Sequence, residues 1–127
     1  MPDVSEFEIQ RALCLWLDGY PDKYGKPTEQ PALIPGALYW HTPNGGSRRD
    51  AHEGARMKQS GVKAGIFDLA FLWGGLYVLE LKDADGPLSP AQRVMWSRYQ
   101  AAGAAGIAVA RSLSEAQAQL REWHLIV

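Results

Sequence analysis

The chain has a single cysteine, Cys14, so no intramolecular disulfide can brace it. Its three histidines, His41, His52 and His124, lack the spacing of a zinc site, and thiol partners for such a site are missing. Long apolar runs are missing too. No stretch approaches the roughly 20 residues that span a bilayer, and Met1-Pro2-Asp3-Val4-Ser5-Glu6 lacks the basic-then-apolar pattern of a secretory signal, so a cytoplasmic protein is expected. Positive charge is not in surplus: 13 Lys and Arg stand against 14 Asp and Glu, for a formal net charge of −1. The basic excess that usually advertises nucleic-acid binding is therefore absent from the total. Internal repeats and low-complexity tracts are absent as well, which excludes solenoids and flexible linkers. What remains is 127 residues, 46% hydrophobic and 21% charged. That is the composition of one globular domain over 1–127, large enough for a core and too small for a second domain.

Charge is unevenly distributed. Between Arg48 and Lys63 five basic residues, Arg48, Arg49, Arg56, Lys58 and Lys63, stand against only Asp50 and Glu53. A solvated helix face explains such a cluster as well as a nucleic-acid strand does. The apolar and turn-forming residues sort into elements. Ser5 to Leu17 reads as a helix, with Ser5 as cap, Glu8 three residues on, and Ile9, Leu13, Trp16 and Leu17 at helical spacing. Asp18 to Gly36, rich in Pro, Gly and charge, is expected to be the least ordered segment. Ala37 to His41 reads as a short strand, Pro43-Asn44-Gly45-Gly46 as a turn, and Asp50 to Gln59 as a helix stopped by Gly61. Ser89-Pro90 opens a helix expected to turn Val94, Met95, Tyr99 and Ala102 inward and to end at Gly103. Ile107 to Ala110 reads as a buried strand, Ser114 to about Glu122 as the last helix, and Leu125-Ile126-Val127 as an edge strand. Cys14 lies among apolar residues of the first helix, where a small buried hydrophobe is a better account than a nucleophile. With the central hairpin described next, the order is α-β-α-β-β-α-β-α, an α/β domain with a mixed sheet flanked by helices.

Charged residues inside apolar strands are the most informative feature. Asp68 lies in Phe67-Asp68-Leu69-Ala70-Phe71-Leu72, and Glu80 and Lys82 end Leu76-Tyr77-Val78-Leu79-Glu80-Leu81-Lys82, with Gly74-Gly75 as a hairpin signal between the runs. Removing carboxylates and an ammonium from water is costly unless they are paired or bind a metal, so their convergence would mark a working site. Register decides convergence, because side chains alternate faces along a strand. A three-residue loop Trp73-Gly74-Gly75, with one Gly left-handed, pairs Leu72 with Leu76 and puts Asp68 opposite Glu80 and on the same face as Lys82. A two-residue Gly74-Gly75 turn would point Asp68 away. The first register is expected. Trp73, beside the turn, would be exposed and able to stack on a base or a partner subunit.

Gly65-Ile66-Phe67-Asp68, a hairpin turn and Glu80-Leu81-Lys82 resemble the PD-(D/E)XK nuclease signature, with Phe67 where the name has proline. Three further blocks resemble its VRR-NUC branch, in particular stand-alone, phage-type members: His41-Thr42-Pro43-Asn44-Gly45-Gly46-Ser47-Arg48, Lys58 to Gly65, and Gly86-Pro87-Leu88-Ser89-Pro90-Ala91-Gln92. The resemblance runs from about Glu6 to the last helix. It implies a restriction-endonuclease-like fold and a metal-dependent, structure-selective DNA endonuclease, resembling a Holliday-junction resolvase. A homodimer follows, because paired cuts related by symmetry need two centres.

Hydrolysis of a phosphodiester needs an activated water and stabilisation of charge on the phosphate, which Mg²⁺ or Mn²⁺ supplies through hard oxygen ligands. Asp68 and Glu80 would be those ligands. Lys82 would orient the attacking water and lower its pKa or accept its proton. The resemblance adds the Leu81 carbonyl and, from the first helix, Glu8, with Glu6 in reserve. The competing role for Glu8 is a capping box in which it folds back onto the Ser5 amide. Gln92 poses the same choice: it completes a capping box with Ser89, and the resemblance places it beside the catalytic strand. For DNA contact the candidates are His41, Asn44, Arg48, Arg49, Lys58 and Lys63, with a purely structural turn as the rival role for Asn44 and its glycines. Three other functions compete: a flap or branched-DNA nuclease, a catalytically silent nucleic-acid-binding module of the same fold, and a carboxylate-pair sugar hydrolase. The last leaves Lys82 and the basic 48–63 stretch unexplained.

Overall fold

The structure, a computed structural model, describes residues 4–43, 56 and 59–127. Among them are three helices, α1 (Glu6–Leu17), α2 (Pro90–Ala101) and α3 (Leu113–Glu122), and four strands, β1 (Leu38–His41), β2 (Leu69–Leu72), β3 (Leu76–Leu81) and β4 (Gly106–Ala110). The strands form one sheet in the order β1-β2-β3-β4. β1 and β2, and β2 and β3, are antiparallel; β3 and β4 are parallel, joined by the crossover helix α2. No helix among the described residues is long and apolar enough to cross a membrane.

The period-2 pattern of the strands sets the two layers. Leu69 and Phe71, Leu79 and Leu81, Ala108 and Ala110 point to one face and pack against Ile9, Leu13 and Leu17 of α1 and Ala116 and Leu120 of α3. Ala70 and Val78 point to the other face and, with Phe67 from the segment before β2, meet Trp96 and Tyr99 of α2. Each fully buried Leu or Phe is worth about 1.5–3 kcal/mol, so Leu79→Ala, which also leaves a cavity, should cost about 2–5 kcal/mol. α1 starts where Ser5 Oγ accepts the Glu8 N–H at 3.1 Å, with Glu6 and Glu8 placed favourably at the positive end of the helix dipole. Of the expected capping box, only this Ser5 half is made. Cys14 is half-buried against the first core, and burial pushes its thiol pKa up, away from nucleophile chemistry.

Three expectations are corrected. The 18–36 loop is not loosely held: Gly19 O accepts the N–H groups of Thr28 and Glu29, and Asp22 Oδ1 accepts those of Tyr24 and Lys26. The C-terminal residues do not extend the sheet. They pair with that loop instead, Ile34 N–H donating to Leu125 O and Val127 N–H to Ala32 O around a single Leu33–Ile126 bridge. The inward face of α2 is Gln92, Met95, Trp96 and Tyr99, whereas Val94 and Ala102 face solvent. The helix expected over Asp50 to Gln59 lies largely outside the described residues.

Candidate active site

The hairpin adopts the three-residue loop. Leu72 pairs with Leu76, Trp73 N–H donates to Gly75 O at 3.1 Å, and Gly74 has φ +69°, a left-handed value that glycine adopts without strain. The register Leu69↔Leu79 then carries Asp68, one residue before β2, to a place opposite Glu80. There the ladder gives way to bonds made by side chains. The Asp68 N–H donates to Glu80 Oε1 at 3.0 Å, and the Leu81 N–H donates to Asp68 Oδ2 at 2.9 Å. Each carboxylate is thus held by the opposite strand's backbone, which fixes both against the sheet.

Glu80 is strongly perturbed. It is 3% exposed. Burial first, and the neighbouring Asp68 charge second, push its pKa up to about 8. Asp68 is also raised by burial, against the stabilising pull of the Leu81 N–H. The two carboxyl groups face each other across the hairpin, and each disfavours ionisation of the pair as a whole. Lys82 Nζ lies 3.7 Å from Glu80 Oε2, close enough for charge attraction and too far for a hydrogen bond. Gln92 Nε2 does make that bond, donating to Glu80 Oε2 at 2.7 Å. The same side chain completes the α2 capping box, its Oε1 accepting the Ser89 N–H at 2.9 Å while Ser89 Oγ accepts the Gln92 N–H. The cap is therefore realised, and it fixes the amide so that its NH₂ faces Glu80.

The other candidates are placed unequally. His41 Nδ1 is 3.0 Å from Asp68 O; a carbonyl only accepts, so Nδ1 carries the hydrogen and His41 braces the backbone at Asp68. Lys63 is exposed on the rim of the cleft beyond Ile66. Glu8 is exposed on the first turn of α1, lining a cavity with Ala84 and Arg111. Among the described residues no three His, Cys, Asp or Glu side chains gather closely enough to hold a metal, so Glu8 is not joined to the Asp68–Glu80 pair. Asn44, Arg48, Arg49 and Lys58 lie outside the described residues. Trp73 is exposed, as expected, with its ring 3.1 Å from where a Cβ on Gly36 would stand.

Three supporting roles escaped the sequence analysis. Arg111 Nη1 donates to the carbonyls of Asp83 and Gly86, fastening the loop that leads from Lys82 to α2. Tyr99 OH accepts the Phe67 N–H at 3.2 Å, beside Asp68. Gly65 has φ +81°, and a Cβ there would stand 2.3 Å from Ala91 O, so only glycine lets this backbone close onto the start of α2. Gly65 had a sequence signal as the first residue of the Gly65-to-Asp68 block and Tyr99 as an inward position of α2, whereas Arg111 had none.

The donor set suits a hard divalent cation. A buried and a half-buried carboxylate, both disfavoured in their charged forms by desolvation and Glu80 also by the Asp68 charge, are groups that a cation relieves. Having only two such side chains fits Mg²⁺ or Mn²⁺, because Mg²⁺ usually keeps several waters.

No family model matches the sequence, and no curated protein matches it. Among solved structures, one described as a "VRR_NUC domain protein" aligns with a TM-score of 0.69, covering 96% of this chain and 89% of that chain at 21% identity. The chain therefore has the fold that its motifs led us to expect, a mixed sheet flanked by helices in the arrangement of that VRR_NUC domain.

Proposed function

We propose that this chain is a nuclease of the PD-(D/E)XK type, in the VRR-NUC branch, hydrolysing DNA phosphodiester bonds with Mg²⁺ or Mn²⁺. The observation that carries it is the Asp68–Glu80 pair, locked by reciprocal backbone bonds and flanked by Lys82 and Gln92. Asp68, Glu80 and the Leu81 carbonyl would hold the cation. The resemblance adds Glu8, whose side chain is not gathered with the pair. Bound there, the cation would supply Lewis-acid stabilisation of charge on the phosphate and on the attacking and departing oxygens.

The chain's own groups do the rest. Asp68 N–H and Gln92 Nε2 each hold one oxygen of Glu80, keeping its carboxylate from rotating. Lys82, attracted to Glu80 without donating to it, keeps its N–H donors for the attacking water or a phosphate oxygen. His41 steadies the backbone that carries Asp68. Asn44, Arg48, Arg49, Lys58 and Lys63 are assigned to the DNA backbone.

The substrate we propose is branched DNA, with a homodimer presenting two centres to a four-way junction. The test is cleavage of labelled four-way junction, flap and blunt duplex with Mg²⁺, Mn²⁺ or EDTA, beside sedimentation of the free protein. Paired symmetric junction cuts, lost in EDTA, from a sedimenting dimer are expected. Flap cutting by a monomer would leave the nuclease and remove the resolvase. Binding without cleavage under any metal would favour the silent module, and activity that survives EDTA the sugar hydrolase.

A further inference from the structure

The face of α2 that closes over Glu80 continues, two turns past Gln92, into a cavity of about 240 Å³ that the mechanism leaves unused. Ile66, Met95 and Ala102 line it with apolar surface, Tyr99 adds a ring, and Lys63 and Arg98 bring two exposed cations to the rim. Tyr99 ties the cavity to the catalytic pair: its hydroxyl accepts the N–H of Phe67, next to Asp68, and the Glu80 charge acts on its phenol. Seven residues separate Gln92 from Tyr99, about 10 Å of helix at a rise of about 1.5 Å per residue. A strand of B-DNA carries a phosphate about every 3.4 Å along the axis, so the cavity lies on the order of three phosphates from Glu80.

Charge and shape favour the same ligand. α2 contains Arg93 and Arg98 and no acid, and among the described residues neither Lys63 nor Arg98 takes part in an ion pair. Lys63 and Ile66 also border a larger cavity, about 500 Å³, that reaches Thr42, whose N–H bonds the Asp68 carbonyl. Cations at a rim above apolar and aromatic walls suit a phosphate joined to a flat, partly apolar ring. In an intact duplex the bases are stacked and unavailable to such a cavity.

We infer that this cavity is a subsite for one unpaired nucleotide a few phosphates from the scissile bond. Lys63 and Arg98 hold its phosphates, and Ile66, Met95 and Tyr99 receive its base. The inference rests on the nuclease reading and extends it, because a site that needs an unpaired nucleotide selects branches and ends over continuous duplex.

The test is fluorescence anisotropy of the full chain with a labelled single-stranded oligonucleotide and a blunt duplex, in EDTA to prevent cutting, across a salt series. Lys63→Ala and Arg98→Ala are each expected to weaken single-strand binding about 3- to 10-fold and to flatten the log–log salt slope by about 0.7. Ala102→Leu, which fills the cavity from an exposed position, is expected to weaken single-strand binding at least about fivefold while leaving blunt duplex within about twofold. Arg121→Ala, on α3 across the sheet, is the control and should change neither. Single-strand affinity and slope unchanged in the cavity variants, or an equal loss in Arg121→Ala, would overturn the subsite and leave the nuclease reading standing. Failure of the wild type to bind any DNA would overturn both.

Discussion

Glu80→Gln should reverse the sign of its effect on stability between acid and alkaline pH. In the metal-free protein, burial and the Asp68 charge push the Glu80 pKa from 4.5 up to about 8. The folded state therefore holds a proton that the unfolded chain releases across this window, and linkage makes wild-type stability fall as pH rises from 4.5 through 8. At about 1.4 kcal/mol per tenfold change in proton affinity the full interval corresponds to several kcal/mol. Local relaxation and the nearby Lys82 reduce it, and we expect a fall on the order of 3 kcal/mol. The amide cannot ionise and escapes this loss. It has a cost of its own, since its NH₂ would face the fixed Gln92 NH₂ in place of the 2.7 Å bond, worth about 1–2 kcal/mol. Glu80→Gln should then be about 1–2 kcal/mol less stable than wild type at pH 5 and about 1–2 kcal/mol more stable at pH 9. Thermal melts in EDTA at both pH values read this as Tm shifts of roughly 4–8 °C in opposite directions. Mn²⁺ at a hundredfold excess over Kd should stabilise the wild type at pH 8 by about 2.7 kcal/mol, read as a raised Tm, and leave Glu80→Gln unmoved. A stability difference that is constant from pH 5 to 9 would refute the raised Glu80 pKa and the charge strain inferred from it.

Gln92→Ala removes both the donor to Glu80 and half of the α2 cap; a loss of about 1–2 kcal/mol by denaturant melts and about tenfold in kcat with KM nearly unchanged are expected. A change confined to stability would reduce Gln92 to a cap. Glu8→Gln, removing a carboxylate apart from the pair, should leave Mn²⁺ affinity by calorimetry within about threefold, whereas an abolition matching that of Glu80→Gln would place Glu8 in the ligand set. Gly65→Ala forces a Cβ toward Ala91 O at a positive φ and should lower stability by about 2 kcal/mol or more; an unchanged Tm would show that the loop is free to move away from α2.

The Asp68–Glu80 hairpin was legible because its information is local: a Gly-containing loop of defined length sets the register, and register alone brings Asp68 opposite Glu80. Gln92 was legible as a choice between cap and site, and its amide has two ends, one in the cap and one on Glu80. That polar residue also explains the misplaced face of α2. Counting apolar positions drew Val94 and Ala102 inward, whereas the buried face runs through Gln92. The order in the 18–36 loop could not be read from its composition, since its partners include Leu125 and Val127, about a hundred residues away. Arg111 was invisible for a related reason: it acts on backbone carbonyls, which leave no mark in a sequence.

The most direct measurement is single-turnover cleavage of a labelled four-way junction in Mg²⁺ by wild type and Lys82→Ala, with junction binding measured in parallel. The expected result is junction binding within about threefold of wild type and a cleavage rate lowered by about 10²- to 10⁴-fold. Cleavage at the wild-type rate by Lys82→Ala would contradict the account, because the charged trio of the hairpin would then not be the seat of the chemistry.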